Sequence, residues 1–262
     1  MSELTYSIIG AGNVAHYFGT MLFRSGAKCK SICARNIDKA KELASIIKAD
    51  NVSDISSVSD DVDLIIIAVS DDAIIEVSQN ISLSKSILVH TSGNMPLSVL
   101  QKCADSCGVL YPLQSIRSSN FEKNENVPLL IEATNEKVQK KIIEFASLIS
   151  QEYHIITSEQ RKKIHLVAVL LNNFVNHLGV LSEDILNKHD LKLDLLLPLL
   201  DKTIEQIKSG QAFKSQTGPA IRGDQMTMDD HIGQLNIHER ALYKALSESI
   251  NIRHKKNDER KT

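Results

Sequence analysis

The sequence predicts an α/β protein in which a doubly wound parallel sheet over residues 1–157 precedes an all-helical region over 158–252 and a charged tail over 253–262. Three observations predict it. Short apolar strands alternate with helical periods from Tyr6 onward. Continuous apolar runs at 63–69 (DLIIIAV) and 86–91 (SILVHT) match strands buried on both faces of a parallel sheet. No strand pattern recurs after Thr157.

Taken in order, residues 6–9 form a strand ending at Gly10, and 14–24 carry a helical period closed by Gly26. Residues 28–34 are the next strand, 37–48 a helix, and 51–59 a weak segment. The run at 63–69 is followed by a helix over 71–79. After the run at 86–91, Pro96 suits the first turn of a helix reaching Cys103. Residues 108–111 and 128–132 read as strands, 136–149 as a helix and 153–156 as the last strand. Beyond Thr157 the helical stretches are broken near His189, Gly210 and 217–219. Residues 253–262 (RHKKNDERKT) carry charge without apolar period, as a solvated tail does.

With 262 residues, 42% hydrophobic and 24% charged, the chain can build a core without disulfides or metal, and its length suits two domains. Thirty basic against 32 acidic residues leave a net charge of -2, which gives no electrostatic reason for a nucleic-acid or anionic-membrane partner. A small-molecule partner is expected. Met1 leads through a polar tripeptide into a strand with no signal-like segment, and no apolar run approaches membrane-spanning length, so a cytoplasmic protein is expected. Cys29, Cys33, Cys103 and Cys107 form two CxxxC pairs. On a strand, such spacing makes packing neighbours rather than a zinc knuckle, and buried thiols without metal are expected.

Gly10-Ala11-Gly12-Asn13-Val14-Ala15 follows a strand and opens a helix, the context that gives a GxGxxA pattern its meaning. Gly10 permits the tight turn, Gly12 lets the backbone approach a pyrophosphate, and Ala15 lets helix and sheet pack closely. The helix amides from Asn13 and Val14 onward then face the phosphates. About 20 residues on, an NAD site places an acid at the end of the second strand. Here stand Ala34, Arg35 and Asn36. The guanidinium of Arg35 suits a 2′-phosphate, with Lys39 one turn further, so NADP(H) is expected over NAD(H); a solvated surface arginine is the plain alternative. The missing acid also argues against a methyltransferase.

In open α/β sheets ligands bind beyond the carboxyl ends of strands. Val69 and Ser70 leave the strand of 63–69, and His90, Thr91, Ser92 and Gly93 leave that of 86–91. These would flank the nicotinamide and the reacting carbon, although a strand end also carries Ser or Gly simply to turn. The helix starting at Ser158 is apolar around most of its circumference and is expected to be buried. At about 100° per residue, His165, Asn172 and Asn176 fall within roughly 40° of one another. Either they hydrogen-bond neighbouring helices or a dimer partner, or they floor a cleft facing the nicotinamide. In the second case His165 donates the proton that accompanies hydride transfer, Asn172 or Asn176 polarises a carbonyl or imine, and Ser92 approaches the substrate.

With this fingerprint, the HTSG segment from His90, the YPLQ segment from Tyr111, the helix from His165 to Asn176 and the TGPAIRGD segment from Thr217, the chain resembles Rossmann-like proteins carrying the domain of unknown function DUF2520. The likeness runs to about Leu246. That group is similar to pyrroline-5-carboxylate reductase, coenzyme F420-dependent NADP reductase and the 6-phosphogluconate dehydrogenase superfamily. The resemblance implies an NADP-binding domain, an oxidoreductase activity, and a helical domain that mediates homodimerisation. One departure stands out. Hydroxyacid dehydrogenases of that superfamily carry a catalytic lysine with an asparagine one turn later, whereas Lys162 and Lys163 are followed there by Leu166 and Val167. His165 would take over proton transfer, or the chemistry differs. In TGPAIRGD, Arg222 either pairs with Asp224 or clamps a substrate carboxylate. An NADP(H)-dependent reductase or dehydrogenase of a small carbonyl, imine or hydroxy acid is the expectation; an NADP(H)-binding sensor without catalysis is the alternative.

Overall fold

The computed structural model describes residues 3–117 and 126–258. The chain divides into two compact units, Met1–Phe174 and Val175–Thr262.

In the first unit, β1 (Thr5–Ile9), β2 (Lys28–Cys33), β3 (Asn51–Ser53), β4 (Leu64–Ile67), β5 (Ile87–His90), β6 (Cys107–Pro112), β7 (Leu129–Ala133) and β8 (Tyr153–Ile155) form one sheet in the order β3-β2-β1-β4-β5-β6-β7-β8. All neighbours pair in parallel except β6 and β7, which are antiparallel. The strand order reverses between β1 and β4, the position at which doubly wound sheets open a ligand crevice. Every residue of β4 is buried, as expected of an aliphatic strand covered on both faces.

The helices α1 (Asn13–Arg24), α2 (Ile37–Ile47) and α4 (Glu136–Ile149) bury Phe18, Leu43 and Ile142 in the core on one face of the sheet. On the other face, α3 (Asp71–Asn80) contributes Ile74 and Val77, joined by Leu97 and Leu100. The helix expected to reach Cys103 reduces to a 3-10 turn at Leu97–Val99. Tertiary ties override local propensity here, since the Leu97 amide donates to Ser158 Oγ at 3.1 Å and Met95 O accepts from Arg161. All four cysteines are buried free thiols.

After β8 the chain is helical, opening at Thr157, which caps α5 (Ser158–Ala168) in a capping box with Gln160. A π turn at Val169–Asn173 leads into α6 (Phe174–Asn187). The first compact unit therefore includes α5 and the π turn, beyond the strand-to-helix change at Thr157. Two expectations for this helix are corrected. It is not buried: Leu166, Leu171 and Phe174 are 56%, 57% and 54% exposed, because the elements of its own chain leave these apolar residues uncovered. Ser158–Asn187 is also long and apolar enough, by length and composition, to cross a membrane, since residues 164–181 contain no Asp, Glu, Lys or Arg.

The second unit contains α7 (Leu197–Lys208), α8 (Pro219–Arg222), α9 (Gln225–Gln234) and α10 (Ile237–Asp258). The expected tail is helical through Asp258, where it continues α10; 259–262 lie outside the described residues.

Candidate active site

The turn after β1 is shaped for close approach. Gly10 has φ +125°, and a Cβ there would lie 2.2 Å from the Ala68 carbonyl oxygen, at the end of the neighbouring β4. Its amide donates to Cys33 O at 2.8 Å, tying the turn to β2 as well. A Cβ at Gly12 would meet nothing within 4 Å, so this face of the turn is open. Gly12 is the N-cap of α1 and offers no side-chain cap, and no acid occupies the first turn. By contrast, Asn36, Asn135 and Thr157 cap α2, α4 and α5 with their side chains. An uncapped, acid-free helix start beside an open glycine turn fits a pyrophosphate. Ala15 is buried against the sheet, while Asn13 and Val14 begin the helix.

At the end of β2, Arg35 is 71% exposed and meets Glu76 only at 3.8 Å, leaving its guanidinium able to turn to a phosphate. Asn36 accepts from the Lys39 amide at 3.0 Å, so its carboxamide is engaged in capping. Past β4, Val69 is half-buried and Ser70 is the exposed N-cap of α3.

The turn after β5 is held from within. His90 is fully buried, its Nδ1 accepts from the Ser92 amide at 3.2 Å, and burial, then the charge of Arg161, pushes its pKa down to about 3. Ser92 Oγ accepts from the amides of Asn94 and Met95 at 3.0 and 2.9 Å. The structure thus folds the Ser92 hydroxyl into its own turn. At Gly93 a Cβ would lie 2.6 Å from His165 Nδ1 and 2.9 Å from Tyr111 Cζ.

Tyr111, near the carboxyl end of β6, brings its hydroxyl to 3.1 Å from His165 Nδ1, with the rings edge to face at 83°. Burial raises the phenol pKa, partly offset by the charge of Arg161. The pair lines a cleft of about 580 Å³ together with Gln114, Lys163, Leu171 and Asn172. Asn172 and His165 thus line the same cleft. Asn176 is not among the lining residues and belongs to the second unit. A wheel drawn at a uniform 3.6 residues per turn passes over the π turn at Val169–Asn173, whose extra residue offsets the phase after it by about 100°.

The helix carrying His165 is anchored by a residue that the periodicity did not single out. Arg161 is completely buried; its Nη1 donates to Glu132 on β7 and its Nη2 to Met95 O at 2.6 Å. Glu132 also accepts from the Ser158 amide and hydroxyl at 3.0 and 2.7 Å. Within SEQRKK nothing local distinguishes Arg161 from the exposed Lys162 and Lys163; its acidic partner lies 29 residues earlier. Among the described residues no cluster of three His, Cys, Asp or Glu could hold a metal ion. In the second unit, Asp224 caps α9 through the Thr227 amide and lies 4.0 Å from Arg222.

Residues 5–94 match the family model described as NADP oxidoreductase coenzyme F420-dependent, and 127–250 match the domain of unknown function DUF2520. A Bacteroides fragilis protein, provisionally described as an NADP oxidoreductase, is 32% identical over 95% of this chain and 98% of its own, with a TM-score of 0.86. A Thermotoga maritima protein is 25% identical over 97% and 99%, with a TM-score of 0.67. A reductive aminase from Aspergillus terreus, in complex with NADPH and ethyl-5-oxohexanoate, shares the fold at 13% identity, 95% and 93% coverage and a TM-score of 0.73. No curated protein matches the chain.

Proposed function

The chain belongs to the family of NADP oxidoreductases that carry the DUF2520 domain, and on that premise we propose that it interconverts a small carbonyl or imine and its reduced product in the cleft beside Tyr111 and His165. The observation that carries this reading is His165 in a cleft at the carboxyl edge of the sheet, against the turn after β5. NADP(H), when bound, supplies or takes up the hydride. The glycine turn and the start of α1 bind its pyrophosphate, and Arg35 favours the 2′-phosphate form. His165 gives the proton to the oxygen or nitrogen being reduced, and Asn172 orients that atom.

The test is NADPH oxidation against small 2-oxo acids, ketones, aldehydes and cyclic imines, with wild type beside His165→Ala. A rate loss of about 10²–10⁴ is expected, the usual contribution of a positioned acid. Undiminished turnover in the variant rejects His165 as the donor. NADPH binding without turnover of any class favours the sensor reading.

We also infer a homodimer. The exposed Leu166, Leu171 and Phe174 make an apolar surface of the kind a protein partner covers, and Asn172, Asn173 and His177 interrupt it in a way that suits protein better than lipid. A monomer mass in sedimentation at micromolar concentration would reject this. Four buried free thiols suit the reducing cytoplasm. The net charge of -2 lends no support to a nucleic-acid partner.

A further inference from the structure

Resting on the reading of this cleft as the reduction site, we propose that Tyr111 is the positioning residue of the proton donor. Its hydroxyl donates to His165 Nδ1, fixes the ring tautomer with its proton on Nε2, and resupplies the proton that His165 gives up.

Three observations carry this. First, the hydroxyl lies 3.1 Å from Nδ1 with the rings edge to face, so the contact is a directed hydrogen bond and not a stacked pair. With the phenol as donor, Nδ1 accepts and the ring proton sits on Nε2. Second, Gly93 is not in the left-handed region, so its backbone does not demand glycine. What it lacks is space: a Cβ would collide with Nδ1 and Cγ of His165 at 2.6 and 2.8 Å and with Tyr111 Cζ at 2.9 Å. The turn after β5 thus closes against both rings at the point where they meet. Third, both rings stand on fixed elements: Tyr111 on β6, and His165 on α5, which the buried Arg161 ties to Glu132 and Met95 O.

In the reductive direction the carbon gains a hydride from the nicotinamide cofactor and the carbonyl π pair moves to oxygen. The His165 Nε2–H bond breaks as the new O–H bond forms. The Tyr111 O–H bond breaks as Nδ1–H forms; after product leaves, a water entering the cleft protonates Nε2 and departs as hydroxide to solvent, while Nδ1 returns its proton to the phenolate, restoring the starting pair. An imine nitrogen follows the same course.

The experiment needs no known substrate. Isotope-labelled imidazole nitrogens report the His165 tautomer by NMR in the full-length protein, with His165→Gln to assign the signal. Wild type is expected to hold the Nε2–H form, whereas Tyr111→Phe and, independently, Gly93→Ala are expected to release it to a mixture of tautomers. An unchanged tautomer in a folded variant of either kind overturns the proposal. With whichever oxo acid or imine probe is turned over, Tyr111→Phe is expected to lower kcat about 10–100-fold at little-changed KM, the cost typical of a supporting hydrogen bond. Added to His165→Ala it should cost nothing further. Additive losses would mean that Tyr111 does not act through His165. If His165→Ala leaves turnover intact, the site reading fails while the tautomer result still stands or falls separately.

Discussion

Replacing Arg161 with Met is expected to lower the unfolding free energy of the first unit by about 3–5 kcal/mol, the cost of stranding one partner of a buried ion pair. The arginine side chain is 0% exposed, and that of Glu132 only 18%. Glu132 gathers donors from Arg161, the Ser158 amide and the Ser158 hydroxyl, while the second guanidinium nitrogen holds Met95 O. One side chain thereby ties α5 to β7 and to the turn following β5. Without it, two Ser158 donors remain for a carboxylate that water barely reaches. Adding Glu132→Gln should restore much of the loss, since the residual charge goes too. Lysine should recover only part, because a single ammonium cannot reproduce a fork that reaches both Glu132 and Met95 O. Urea midpoints at unchanged slope give the comparison. A loss below about 1 kcal/mol, the range of a surface pair, would show that the pair has no structural weight.

The contrast between Arg161 and the glycine turn explains which parts of this molecule were legible in its sequence. Gly10, Gly12 and the aliphatic runs of β4 and β5 declare themselves because their constraints are local: a positive φ, an absent side chain, a strand covered on both faces. Except at 96–103, where a 3-10 turn replaces the expected helix, the described strands and helices through Ile155 follow those periods. Arg161 and Tyr111 owe their roles to partners 29 and 54 residues away, and no spacing rule brings Glu132 or His165 to them. The apolar character of the helix after Thr157 was legible too, but not whose atoms cover it; composition alone suggests burial, whereas the chain leaves Leu166 and Phe174 exposed. The π turn at Val169–Asn173 is a further case, because a wheel at fixed period cannot register an inserted residue.

Lowering the pH from 7 to 5 is expected to remove about 2 kcal/mol of stability through His90 alone. Burial first, and the charge of Arg161 second, hold its pKa at about 3 against an ordinary value of 6.5. Between those values the unfolded chain binds a proton that the native protein refuses. Stability therefore rises with pH across this window, is fully present above 6.5, and is lost as pH falls. Asp60, held at about 2 by amides of Ser84, Ser86 and Lys85 despite partial burial, loses its own contribution only below 3.8. The interval from 7 to 5 thus isolates the imidazole from that carboxylate. His90→Asn should flatten the dependence, since an amide oxygen can still accept from the Ser92 amide without titrating. Arg161→Met should weaken it, because the cation that helps exclude the His90 proton is gone. Urea unfolding at both pH values for the three proteins decides the matter: equal stability of wild type at pH 7 and 5 would mean that His90 accepts its proton in the native state.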